Sequence, residues 1–146
     1  MNSDDYLFVY GTLRRGAART DAGERAFVQL EADASFRGLA TMDGRLFEVD
    51  GYPGGCYQFA VGSQVRGDLY QIDAATGLFS ALDAYEESDS HFEQPREYQR
   101  QRVPVALGDG SVVYAWAYLY HCSIDALLVI ESGDYLLWQR QRQNEK

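Results

Sequence analysis

Few side chains in this sequence are placed to do chemistry, and the most informative is a glutamate. The segment Ala74 to Glu86 follows a good helix N-cap at Asp73 and carries apolar residues at helical spacing. Phe79, Leu82 and Glu86 stand at i, i+3 and i+7, so Glu86 shares the stripe that the helix buries. Glu87 lies about 100° further round and reaches solvent. A carboxylate that is both buried and at the negative end of a helix is disfavoured as the anion, so its pKa rises. It then becomes a proton carrier near neutral pH. The alternative is a terminal glutamate that swings out into water.

The second chemical feature is a loop. Leu7-Phe8-Val9-Tyr10 is a short run of bulky β-formers, the pattern of a strand buried on both faces. Gly11 ends it, and Gly11-Thr12-Leu13-Arg14-Arg15-Gly16 follows. A glycine there lets backbone approach a ligand and lets successive N–H groups converge on one acceptor. The plainer alternative is a strand followed by a turn.

Other chemistries are excluded by composition. Cys56 and Cys122 are too few and too far apart for a zinc or redox motif, and His91 and His121 add no ligand spacing, so neither metal nor cofactor is expected. A net charge of −9 argues against a phosphate backbone or an anionic membrane as partner. No apolar leader precedes the first strand, and the longest apolar run, Val112 to Tyr120, is far short of a membrane span. A soluble, reduced, cytoplasmic protein is the expectation.

The elements that must position these residues fit one domain over 1–146, with a core over about 6–138 and a polar, frayed tail at 139–146. Glu24 to Leu30 suggests a short helix or an irregular segment. Ser35 to Thr41 and Arg45 to Val49 are expected as two strands turning at Asp43-Gly44, and Gly51 to Gly55 as a loop. Tyr57 to Val61 suggests a short strand. In Val65 to Ile72, Val65, Gly67, Leu69 and Gln71 face one way and Arg66, Asp68, Tyr70 and Ile72 the other. Glu87 to Glu97 reads as an exposed loop. Glu97 to Leu107 and Ser111 to Tyr120 form a hairpin turning at Gly108-Asp109-Gly110, and Pro104 demands an edge or a bulge. In its second arm Tyr114, Trp116, Tyr118 and Tyr120 share a face, opposite Ala115, Ala117 and Leu119. Gly133 to Trp138 closes the domain through Leu136 and Trp138. The whole is an α+β fold built on a small mixed or closed β-sheet.

Five segments, in order, resemble the gamma-glutamylcyclotransferase-like family: Tyr10-Gly11-Thr12-Leu13, Val65 to Tyr70, Leu82-Asp83-Ala84-Tyr85-Glu86, Tyr98-Gln99-Arg100 with Val103-Pro104-Val105, and Trp116-Ala117-Tyr118. The resemblance implies a small β-barrel with flanking helices. It implies conversion of a γ-glutamyl amide to 5-oxoproline with release of an amine or amino acid. Its catalytic glutamate falls on Glu86 and its substrate-holding loop on Tyr10, Gly11, Thr12 and Leu13. Its pocket tyrosines fall on Tyr98 and Tyr118. The partner implied is a small γ-glutamyl substrate, handled by a monomer or weak homodimer, and the leaving group is not named. The segment from Glu86 to Tyr98 is longer than the family pattern, and it brings Glu93 and Glu97 near the same site as competing acids.

This reaction needs no Ser-His-Asp set, thiolate or metal, because the substrate's own α-amino group is the nucleophile. An alternative is a binding module that keeps the cavity for a small anionic metabolite without turnover. A third reading is an interaction protein using the tyrosine face of strand 111–120. Since neither His nor Cys has ligand spacing, prolonged chelation should leave 5-oxoproline release unchanged. Loss of activity with chelator, restored by zinc or another cation, would overturn the metal-free mechanism.

Overall fold

The computed structural model describes residues 4–17, 19, 21–49, 52–73, 98–120 and 127–144. In chain order these form β1 (Asp4–Val9), α1 (Asp21–Asp33), β2 (Ala34–Val49), β3 (Tyr52–Tyr57), β4 (Gln64–Asp73), β5 (Tyr98–Leu107), β6 (Val112–Tyr120), β7 (Leu128–Val129) and α2 (Tyr135–Asn144). The segment expected as a helix, 74–86, and the loop 87–97 lie outside the described residues.

Five strands close on themselves. β2 pairs with β4, β4 with β1, β1 with β6, β6 with β5, and β5 returns to β2 through Ala40–Leu107 and Thr41–Ala106. The expected closed barrel is the observed fold. All of these pairings are antiparallel except β1–β6, where Leu7 faces Trp116 in parallel.

Strand alternation divides the apolar residues into two layers. Phe8, Met42, Val65, Leu69, Val105 and Ala117 fill the barrel interior. Leu7, Val9, Tyr70 and Ile72 face outward but are covered by α1 through Leu30, with Ala26 and Phe27 alongside. This is why Leu7 to Tyr10 reads as a continuous apolar run: both of its faces are buried. A bulge between Phe36 and Gly38 reverses the sides of β2, turning Phe36 outward against Tyr70, with ring centroids 5.6 Å apart.

Several expectations are corrected. Asp43-Gly44 is not a turn; β2 runs on through it, and it marks where β2 exchanges β4 for β3 as partner. Gly44 is needed there, since a Cβ would lie 2.0 Å from the Cys56 carbonyl oxygen. Residues 52–55, expected as loop, belong to β3, and 58–63, which overlaps the expected strand at 57–61, has no strand. α1 extends well beyond Glu24–Leu30. The closing segment is a helix that continues through the expected frayed tail to Asn144, anchored by buried Tyr135. Pro104 does lie where β5 has only β6 beside it, because the ladder to β2 stops at Ala106. Of the β6 aromatics only Tyr114 is exposed; Tyr118 is buried and Trp116 and Tyr120 are half-buried, which leaves little of the tyrosine face for a partner. Among the described residues no helix is long and apolar enough to cross a membrane.

Gly67 sets how closely β4 meets β1. A Cβ on it would sit 2.4 Å from the Val9 carbonyl oxygen and 2.7 Å from the Phe8 ring. Gly67→Ala should therefore cost about 1–3 kcal/mol in urea unfolding, as overpacking of a tight core does. Gly108→Ala, where a Cβ meets nothing within 4 Å, should leave the midpoint nearly unchanged.

Candidate active site

The loop that follows β1 is held by contacts on every side. Tyr10 turns into the barrel, where its hydroxyl donates to the Tyr118 carbonyl oxygen at 2.5 Å and accepts from the Gly55 amide at 2.9 Å. It thereby ties β1, β6 and β3 together at one end of the barrel. β3 closes over this end, and the two glycines there have a steric reason. A Cβ on Gly55 would lie 2.9 Å from the Tyr10 ring, and one on Gly11 would lie 2.5 Å from Pro53 Cγ. Beyond Gly11 the chain turns, with the Arg14 amide donating to the Gly11 carbonyl at 3.0 Å.

Leu13 is buried on the outer side of the barrel, in the same apolar cluster as Val9 and Tyr118. The structure thus brings Tyr10, Gly11, Thr12, Leu13 and Tyr118 to one end of the molecule. The Tyr118 side chain joins Leu13 in that cluster, while its carbonyl serves Tyr10. Tyr98 opens β5 opposite Tyr120, which brings its backbone to the same end. Glu86, Glu93 and Glu97 lie outside the described residues. A polar cleft of about 540 Å³ bordered by Asp43, Gln64, Arg66 and Glu131 shares none of the expected site residues.

The residues that sequence reasoning missed are the charged ones locking the loop. Arg14 is buried, with Nη1 2.9 Å from Asp134 Oδ1 and Nε 3.6 Å from Asp68 Oδ1; that Nε makes no hydrogen bond. Asp134 also caps α2, accepting from the Leu136 and Leu137 amides. Asp68 is 2% exposed and accepts from the Arg15 amide at 2.9 Å. Burial pushes its carboxyl up, opposed by that amide and by Arg14. Arg15 makes a two-pronged pair with Glu31 of α1, at 2.8 and 2.9 Å, and Tyr70 donates its hydroxyl to the same carboxylate. Arg15 holds the Glu31 carboxyl below the usual carboxylate range, and burial pushes the Tyr70 hydroxyl up. One signal was present in the sequence: Asp68 shares its strand face with Tyr70 and Ile72, where an acid needs a partner.

Among the described residues no group of three or more His, Cys, Asp or Glu is arranged to hold a metal. What the arrangement offers is a rigid backbone turn at a barrel end, beside an apolar wall. A closed five-stranded barrel carrying this Tyr-Gly-Thr-Leu turn defines the class. Residues 7–137 match the family described as "Gamma-glutamyl cyclotransferase, AIG2-like", and the chain belongs to that family.

Among curated relatives it is similar to the gamma-glutamylcyclotransferase family protein YtfP of Escherichia coli (strain K12). The two are 32% identical over 130 residues, covering 89% of this chain and 95% of YtfP. Among solved structures, an AIG2-like protein of Mus musculus superposes with a TM-score of 0.67 at 24% identity, covering 88% of this chain and 87% of that one. YkqA of Bacillus subtilis gives a TM-score of 0.67 at 24% identity; this chain is covered to 98% but spans only 43% of YkqA. At those identities the two structures speak for the fold alone.

The buried cation makes a direct prediction. Arg14→Met leaves Asp68 and Asp134 without their counter-ion and should destabilise the fold by about 3–5 kcal/mol at pH 7 in urea unfolding. A buried acid with a raised pKa stabilises the fold while protonated and loses that contribution as pH rises through its folded pKa. The deficit of the variant should therefore shrink as pH falls into the carboxylate range. A deficit independent of pH would mean that Asp68 is not what Arg14 neutralises.

Proposed function

We propose that this chain is a γ-glutamyl cyclotransferase acting on a γ-glutamyl amine or γ-glutamyl amino acid. The observation that carries the reading is the Tyr10 to Leu13 turn, wedged between Pro53 and the Leu13–Tyr118 wall in a chain of this family.

In the proposed reaction the substrate's α-amino nitrogen attacks its own γ-carbonyl carbon and a five-membered ring closes. The new C–N bond forms as the γ-amide C–N bond breaks, giving 5-oxoproline and the free amine. The enzyme must hold the chain folded for attack, which supplies orientation in advance. It must also take a proton from an ammonium group and return one to the departing nitrogen. Glu86 is the proposed carrier for both steps, a carboxylate suited to the work if its pKa is raised. Backbone N–H groups of Gly11 to Leu13 are proposed to bind the substrate carboxylate or the developing oxyanion. Tyr118 with Leu13, and Tyr98 from the start of β5, are proposed to line the pocket.

The test begins with a panel of γ-glutamyl compounds assayed for 5-oxoproline. With a substrate in hand, Glu86→Gln should lower turnover by at least the ~10²–10⁴-fold typical of a lost general acid or base. Glu87→Gln should do almost nothing. If both variants release 5-oxoproline at the wild-type rate, the assignment moves to Glu93 or Glu97. Wild-type protein that binds panel compounds without turning any over is instead the binding module considered above.

A further inference from the structure

Arg19 has no part in the family resemblance, yet its side chain is only 9% exposed for a residue leading into a surface helix. Its guanidinium sits behind the loop. Nη1 donates to two carbonyl oxygens, that of Thr12 at 3.0 Å and that of Arg14 at 2.9 Å. Nε donates to Glu24 Oε1 at 2.9 Å, and the guanidinium lies 3.9 Å from the centre of the Phe27 ring. Glu24 and Phe27 both belong to α1, so the arginine is gripped by the helix and grips the loop.

The peptide geometry gives this a consequence. In a planar trans peptide the C=O and N–H point in opposite directions, and the described chain has no cis bonds. The Arg14–Arg15 unit shows the effect: its carbonyl meets Arg19, and its N–H, on Arg15, meets buried Asp68 on the other side. The Thr12–Leu13 unit has its carbonyl on the same arginine, so the Leu13 N–H is turned away from Arg19 as well. The Gly11 carbonyl is likewise occupied, by the Arg14 amide, which turns the Thr12 N–H the other way from that contact. Carbonyl oxygens that would repel an anion are thus drawn back.

We infer that Arg19 is a positioning residue, which holds the Thr12 and Arg14 carbonyls back so that the turn presents the Leu13 N–H to an anionic group of the ligand. The inference rests on the proposed reading of that turn as the place where substrate carboxylate or oxyanion binds. Arg19 itself does not touch the ligand. Where the group held is the substrate carboxylate, which stays the same through the reaction, Arg19 contributes equally to bound substrate and transition state, so its loss raises KM and leaves kcat little changed.

The experiment uses L-5-oxoproline, the product of the proposed reaction, titrated into ¹⁵N-labelled full-length protein. In the wild type the Thr12 and Leu13 amide resonances should move as it binds. Arg19→Met, which removes the guanidinium from the Thr12 and Arg14 carbonyls and from the Phe27 ring, should lower the thermal midpoint without unfolding the protein and weaken 5-oxoproline about tenfold or more. Glu24→Gln removes the ion pair to the helix but keeps an acceptor for Nε, the Phe27 contact and the bonds to the loop, and should weaken binding far less. Equal binding by Arg19→Met and wild type overturns the role of Arg19 alone. So does an equal loss in Arg19→Met and Glu24→Gln, which would make the arginine a helix tie. A wild type that neither binds 5-oxoproline nor turns over any γ-glutamyl compound overturns this inference together with the reading beneath it. Should Arg19→Met fail to fold, Arg19→Lys decides in its place. Weakened binding at an unchanged melting temperature supports the role, and wild-type binding with an unmoved Leu13 amide overturns it.

Discussion

The parallel pairing of β1 with β6, Leu7 facing Trp116, is the constraint on which the rest depends. Without it the remaining pairs would form an open sheet with β1 at one edge. With it the sheet closes, and β1 acquires an interior face with Phe8 and an exterior face with Leu7 and Val9 under α1. A strand buried on both faces has no tolerated register slip, because moving by one residue exchanges its two sets of side chains. The turn that leaves β1 inherits that rigidity. Parallel pairing also brings the C-terminal ends of β1 and β6 together, which is how the Tyr10 hydroxyl reaches the Tyr118 carbonyl.

Closure alone would leave a turn of glycine and threonine free to rearrange. The charged side chains around it remove that freedom. Arg14 joins it to the capping residue of α2, and Arg15 and Arg19 join it to α1 through Glu31 and Glu24. The exposed pairs among these are individually weak. Their effect is geometric: they tie the turn to both helices and the barrel, the kind of support that the binding role proposed for it requires.

The sequence made the fold legible wherever one period ruled. Leu7 to Tyr10, the alternation through Val65 to Ile72, and the hairpin around Gly108 to Gly110 follow from burial of one or both faces of a strand. It misled where a local signal had a tertiary cause. Asp43-Gly44 carries turn chemistry, yet Gly44 is there because the β3 backbone passes too close for a side chain. Pro53, Gly54 and Gly55 resemble a loop for the same kind of reason, since Gly55 must clear the Tyr10 ring. The turn at Gly11 was visible as a glycine behind a buried strand. The partners of Arg14 and Arg15 were not visible, because the acids they meet lie on elements 16 to 120 residues away in the chain.

For a protein of net charge −9, binding the proposed substrate through its carboxylate poses an electrostatic problem that must be solved locally. Three arginines crowd the turn, but Arg14 faces Asp68 and Asp134, Arg15 faces Glu31, and Arg19 faces Glu24. Their charges are largely answered before any ligand arrives. What they leave behind is orientation: carbonyls drawn to the arginine side, N–H groups turned to the other. Fixed peptide dipoles of this kind act over short range and need no reorganisation as charge develops. Such a site favours a group that is anionic only at the point of contact. The proposed γ-glutamyl substrate, with an ammonium beside its carboxylate, suits that combination better than a bare anion does, and the surrounding excess of acids would repel it less than a polyanion.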